Sequence, residues 1–188
     1  MKNALILHGT DANHCSNWFP WLKKALIDLN YNVWLPDLPQ ANQPNITRYN
    51  QFILHYPTIN WQFNSESIII GHSSGAVEIL GLLNDPQFPP VTIKAGFLIG
   101  AFKGNLGRNS LNGMVANFNY NLIRTKARQL IFIHSNDNPN CLIEDARDLA
   151  QQLKAQLIEF QGMGHFSQNT MPEYKKFPGL LTIIQANI

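Results

Sequence analysis

The sequence predicts an α/β fold, with a mainly parallel sheet of about six strands and helices on both faces. Three observations predict it. Short apolar runs alternate with segments of helical periodicity along the chain. The strongest run, Ser67–Ile70, carries three consecutive isoleucines with no polar alternation, as in a strand buried on both faces. The breaks between runs are rich in Gly, Pro and Asn, and no tract reads as a linker or an internal repeat.

The elements follow in order. Ala4–Leu7 reads as a buried strand ended by His8-Gly9, and a loop runs from Thr10 to Asn17. Asn17 is placed to cap a helix starting near Trp18, with Pro20 tolerated in its first turn. Trp18, Leu22, Leu26 and Leu29 share one face of that helix. Val33–Leu35 is a second strand stopped by Pro36, and Asp37–Asn45 is a loop. Thr47 opens a helix that runs to about Tyr56, before Pro57. After Ser67–Ile70 a helix follows at once, with Ala76, Val77, Leu80 and Leu83 on a face. Ala95–Ile99 is the fourth strand. A Gly- and Asn-rich stretch, Gly100–Gly113, leads into a helix from about Met114 to Thr125. Leu130–His134 is a strand, Ser135–Asn140 a polar loop, and Cys141–Lys154 a helix. Leu157–Phe160 is the last strand, and a helix over roughly Gly179 to Ala186 closes the chain. The simplest organisation is one domain over residues 1–188.

Bulk properties exclude some functions. The formal net charge is +2, from 14 basic and 12 acidic residues, and no Lys/Arg run exceeds the pairs Lys23-Lys24 and Lys175-Lys176. That balance gives no electrostatic footprint for nucleic acid. No stretch approaches the length of a membrane span, and Ala4–Leu7 is too short for a signal-peptide core. A cytoplasmic protein that does not bind membranes is the expectation. Cys15 and Cys141 are too few for a disulfide framework.

In open parallel sheets, ligands bind beyond the carboxyl ends of the strands, so the chemistry is sought in those loops. Gly71-His72-Ser73-Ser74-Gly75 fits G-x-S-x-G, between the most buried strand and a helix. In that setting the pattern builds a tight turn that exposes a nucleophilic serine, and bulky residues at its glycine positions would collide. Ser73 therefore needs a base. Of six histidines, His165 combines a glycine loop, Gly162-Met163-Gly164, with a position after the last strand. The base needs an orienting carboxylate. Asp137, in Ser135-Asn136-Asp137-Asn138-Pro139 after the fifth strand, is chosen over Glu144, Asp145 and Asp148, which fall on a predicted helix. The order Ser73, Asp137, His165 is that of α/β-hydrolases. The oxyanion hole is assigned to the backbone N–H groups of Ser74 and Thr10, with Asp11 the alternative to Thr10. The aromatic cluster Trp18, Phe19 and Trp21 reads as core packing before it reads as an acyl pocket. Phe102–Thr125, between two strands, is a candidate for a small partial lid, and its shortness points to an open site.

The sequence resembles the small single-domain serine hydrolases of the YdeN and retinoblastoma-binding protein 9 type. The resemblance rests on Leu7-His8-Gly9, on Asn17-Trp18-Phe19-Pro20-Trp21-Leu22-Lys23-Lys24, on Gly71-His72-Ser73-Ser74-Gly75-Ala76, on Ser135–Pro139 and on Gly162-Met163-Gly164-His165-Phe166. It implies a compact α/β-hydrolase lacking the first two strands of larger members, a Ser73, Asp137, His165 triad, and small ester substrates. The Leu-x-Cys-x-Glu motif associated with retinoblastoma binding does not occur at Cys15 or Cys141, and that partner is not carried over. The expected reaction is ester hydrolysis through an acyl-enzyme on a small ester or acyl substrate, with no metal or organic cofactor. Thioesterase, amidase or peptidase action uses the same parts. A weakly active binding or regulatory protein on a hydrolase scaffold is the reading from another class.

Overall fold

Residues 1–55 and 60–188 are described in a computed structural model of the chain. Six strands form one sheet: β1 (Lys2–Leu7), β2 (Tyr31–Trp34), β3 (Ile68–His72), β4 (Ala95–Ile99), β5 (Leu130–Ser135) and β6 (Gln156–Phe160). Their order is β2-β1-β3-β4-β5-β6, and every pairing is parallel. The helices are α1 (Phe19–Asp28), α2 (Ile46–His55), α3 (Ser74–Asn84), α4 (Tyr120–Lys126), α5 (Ile143–Leu153) and α6 (Pro178–Ala186), with a 3-10 helix over Asn109–Met114.

The unbroken apolar runs follow from burial on both sheet faces. Successive side chains alternate between two cores, as the two-residue period of a strand requires. Ala4, Ile6, Ile68, Ile70, Phe97, Ile99, Ile131 and Ile133 pack against α1 and α6. Leu5, Leu7, Ile69, Leu98, Leu130 and Phe132 face the other way, toward α2, α3, α4 and α5. Strand order reverses direction between β1 and β3, so a crevice opens at the carboxyl ends of these neighbours, where such sheets place their ligands.

Several boundaries differ from the sequence reading. Strand β2 begins at Tyr31, because pairing from Lys2↔Tyr31 to Leu5↔Trp34 sets its extent. Helix α1 begins at Phe19 without a side-chain cap. Asn17 has φ 49° and accepts a hydrogen bond from the Gln168 N–H at 2.9 Å, so it does not cap α1. The helix expected from about Met114 to Thr125 is two elements. Asn119 accepts from the Leu122 N–H at 3.1 Å and starts α4 at Tyr120, while the 3-10 helix ends at Met114. Tyr56 and Pro57, expected at the end of α2, lie outside the described residues. Among the described residues no helix is long and apolar enough to cross a membrane.

Candidate active site

The turn after β3 carries Ser73 at φ 56° and ψ −121°, a conformation that non-glycine residues rarely adopt. Crowding explains the glycines around it. A Cβ on Gly71 would lie 2.2 Å from the Gly75 carbonyl oxygen, and one on Gly75 would lie 2.4 Å from that of Leu7. The Ser73 N–H donates to the Ile99 carbonyl at 2.8 Å, which fixes the turn to the end of β4. Ser73 lines a cavity of about 520 Å³ together with Gly9, Thr10, His72, Cys141 and His165. Phe102, Leu106, Arg108 and Leu111 form its wall on the β4–α4 side.

Two backbone N–H groups lie on the loops at the switch point: Thr10 lines the cavity, and Ser74 follows Ser73 at the start of α3. Among the described residues, neither the Thr10 nor the Ser74 N–H has an acceptor, whereas the Asp11 N–H donates to the Ala41 carbonyl at 3.0 Å. Asp11 is thereby engaged elsewhere. The Thr10 hydroxyl donates to Ser74 Oγ at 3.1 Å and ties the two loops together.

His165 is buried on a loop with three left-handed residues, Gly162, Gly164 and Phe166. Three tethers hold the loop. The Trp18 indole N–H donates to the Phe166 carbonyl at 2.9 Å, the Gln168 N–H donates to Asn17, and the Tyr174 hydroxyl donates to the Met163 carbonyl at 3.2 Å. Trp18 and Phe19 are fully buried in the core beside α6, and neither lines the cavity. Ser73 and His165 line the same cavity, although no hydrogen bond joins them among the described residues. Such contacts are commonly loose before substrate binds.

The structure separates two neighbouring side chains that the sequence reading did not. Asp137 is exposed, and its Oδ1 accepts from the Ser135 hydroxyl at 2.5 Å and from the Gly164 N–H at 2.9 Å. Those bonds, the Ser135 one foremost, hold its carboxyl below the usual range. The group that meets His165 Nδ1 is Asn138, through Oδ1 at 3.0 Å. In this turn, closed by the Asn138 N–H to the Ser135 carbonyl, Asp137 is exposed and Asn138 is half-buried. Sequence reasoning missed Asn138 because it searched for a carboxylate.

Burial dominates the electrostatics. It pushes His165 down to about 2, with further repulsion from His72, His134 and Arg108. His72 is lowered to about 4 for the same first reason, and its Nε2 donates to the His165 carbonyl at 2.8 Å. Burial raises the Cys141 thiol to about 12, so it stays protonated. That is consistent with a bystander and not a nucleophile. Among the described residues no cluster of His, Cys, Asp and Glu is arranged to hold a metal.

The family described as serine hydrolase matches residues 4–185. The chain belongs to the serine hydrolase family. It is 26% identical to YdeN of Bacillus subtilis (strain 168) over 170 residues, 89% of this chain and 87% of YdeN. It is 26% identical to the serine hydrolase RBBP9 of Rattus norvegicus over 173 residues, 89% of this chain and 88% of that one. The crystal structure of the B. subtilis ydeN gene product superposes with TM-score 0.86 at 24% identity, covering 100% of this chain and 98% of that one. Est1E from Butyrivibrio proteoclasticus, in a structure with ferulic acid bound, shares the fold with TM-score 0.69 at 12% identity, covering 98% and 90% of the two chains. The expected family and fold class are thus borne out, and the chain is a serine hydrolase.

Proposed function

We propose that this serine hydrolase cleaves small carboxylic esters through an acyl-enzyme on Ser73. The observation that carries the reading is the strained turn: Ser73, at φ 56° and ψ −121° on a strand-to-helix junction, lines the same cavity as the buried imidazole of His165. His165 accepts the serine proton as Oγ attacks the ester carbonyl, and returns it to the departing alkoxide. The Ser74 and Thr10 N–H groups stabilise the oxyanion, a reading supported by their lack of other acceptors among the described residues. Water then attacks the acyl-enzyme with His165 again as base, releasing the acid and free Ser73. Asp137, the carboxylate expected as third member, serves through the loop: its bonds to Ser135 and Gly164 set the path of the chain into His165. A cavity of about 520 Å³ with polar lining is of the size that holds a small-molecule ester.

The test compares wild type with Ser73→Ala. Wild type is expected to react with a fluorophosphonate probe and to hydrolyse a short p-nitrophenyl ester, and the variant to do neither. A folded wild type that is inert to both, or a variant that retains turnover, overturns the reading.

A further inference from the structure

We infer that Asn138, an uncharged amide, is the positioning residue for His165, so that the site runs on a Ser-His-Asn arrangement with no carboxylate on the imidazole. This rests on the reading of Ser73 and His165 above.

The argument turns on which way the amide of Asn138 faces. Its Oδ1 accepts from the Asn140 N–H at 3.0 Å and from the Cys141 N–H at 3.3 Å. Two backbone donors fix that atom as oxygen, because an NH2 group there would meet two N–H groups head on. The same oxygen lies 3.0 Å from His165 Nδ1, so the proton on the ring must be on Nδ1. The lone pair is then on Nε2, which has no hydrogen bond among the described residues. That is the tautomer a general base requires. An asparagine free to rotate would present NH2 to the ring and hold the wrong tautomer; the Asn140 and Cys141 amides prevent the rotation.

What the amide lacks is charge. The groups facing His165 are His72 from the end of β3, His134 from β5, Arg108 from before the 3-10 helix, and the Cys141 thiol, with Sγ 3.9 Å from Nδ1. None is an anion. Asp137, next to Asn138 in the chain, spends its Oδ1 on Ser135 and Gly164, and Asp145 and Glu144 on α5 act on His134, with Asp145 also acting on Cys141, rather than on His165. Imidazolium therefore has no counter-ion, and the ring stays neutral far below the ordinary imidazole value of 6.5. The acid limb of the activity profile should accordingly lie well below that value.

The experiment uses the full chain and a short p-nitrophenyl ester. With Asn138→Asp, the acid limb of kcat/KM is expected to move up by at least roughly one pH unit, and kcat to rise about tenfold as the base strengthens. Asp137→Asn is expected to lower activity while leaving the limb in place. A limb that moves in Asp137→Asn, or that stays put in a folded Asn138→Asp, overturns the inference. Nitrogen-15 spectra of labelled histidine give a readout independent of turnover. Wild-type His165 should hold its proton on Nδ1 from weakly acid to alkaline pH, and Asn138→Ala should scramble the two tautomers. A wild-type His165 protonated on Nε2 refutes the inference even if the esterase reading stands. Loss of that reading through Ser73→Ala leaves the spectra to judge Asn138 alone.

Discussion

Gly75 packs the first turn of α3 onto the end of β1, and Gly75→Ala is a sharp test of how tightly the nucleophile turn is built. The new methyl would sit 2.4 Å from the Leu7 carbonyl oxygen and 2.6 Å from that of His8. Real contacts of this kind do not fall below 3.0 Å, so α3 must retreat from β1 by 0.6 Å, the difference between 3.0 and 2.4 Å. Both obstacles are backbone atoms of a central strand, which cannot swing aside as a side chain can. Overpacking of this sort costs about 1–3 kcal/mol, and alanine regains at most about 1 kcal/mol over glycine in a helix. Because both obstacles are backbone, the upper end of that range applies, and about 3 less about 1 leaves a net loss of roughly 2 kcal/mol, a fall in Tm of about 4–8 °C for a chain this long. Gly81→Ala in the same helix is the control. Its methyl meets Ile46 Cγ2 at 2.5 Å, a side-chain methyl at the start of α2 and not strand backbone, so relief needs a small shift of one side chain and its helix end. Its melting point should stay within about 3 °C of wild type, because helix propensity offsets the repacking. Thermal melts by far-UV circular dichroism decide the matter. A Gly75→Ala protein that melts with wild type, or a Gly81→Ala protein that falls as far, refutes the argument from backbone crowding.

Two further predictions concern buried polar groups. Glu78 on α3 is fully buried, both its carboxyl oxygens lack partners among the described residues, and burial, aided by Asp85, raises its pKa well above 4.5. A raised folded value means that stability is full below 4.5 and is lost as pH rises toward the folded value, at up to about 1.4 kcal/mol per pH unit. Glu78→Gln should therefore gain in Tm over wild type as melts move from pH near 5 to pH near 8, and an unchanging difference would count against a buried neutral acid. Trp18→Phe removes the indole N–H from the buried Phe166 carbonyl, at a cost of about 1–3 kcal/mol, and slackens the His165 loop. Both Tm and ester turnover should fall, and a drop in Tm with turnover intact would show that the tether serves the core alone.

Particular residues show what was legible in the sequence. The run Ile68–Ile70 announced a central strand because both faces of the sheet are covered, and G-x-S-x-G announced its turn because two close backbone approaches admit no Cβ. The choice between Asp137 and Asn138 was not legible. Adjacent residues in a tight turn point in different directions, and here Asp137 turns to Ser135 and Gly164 while Asn138 turns to His165, partners that lie 27 residues away or across the turn and that residue type does not announce. Reading by charge favoured the aspartate; the fold turned the amide inward. Asn17 misled for a related reason. Its residue type fits a helix cap, but its partner is the Gln168 N–H, 151 residues along the chain, which no local pattern encodes.

The buried histidines supply an argument for His165 that does not depend on its loop. His8, His72, His134 and His165 are all buried, and each has partners that settle its protons. His8 Nε2 accepts from the Leu38 N–H at 2.8 Å, so its proton is on Nδ1, facing the Gly9 carbonyl. His134 Nδ1 donates to the Ser135 carbonyl at 2.9 Å, and its Nε2 meets the Cys141 sulfur at 3.6 Å. His72 donates from Nε2 to the His165 carbonyl, and its Nδ1 is sealed from solvent without a partner. Each of these three has its basic nitrogen engaged or closed off. His165 differs: Asn138 holds Nδ1, and Nε2 is left unbonded beside the cavity that Ser73 shares. The neighbouring imidazoles, kept neutral by burial, build a wall around it that adds no positive charge at neutral pH, while the same burial denies His165 an easy charge of its own. In the proposed mechanism a base in that position takes a proton only as the oxyanion forms beside it, which ties proton transfer to the attack of Ser73 and discourages idle protonation between turnovers.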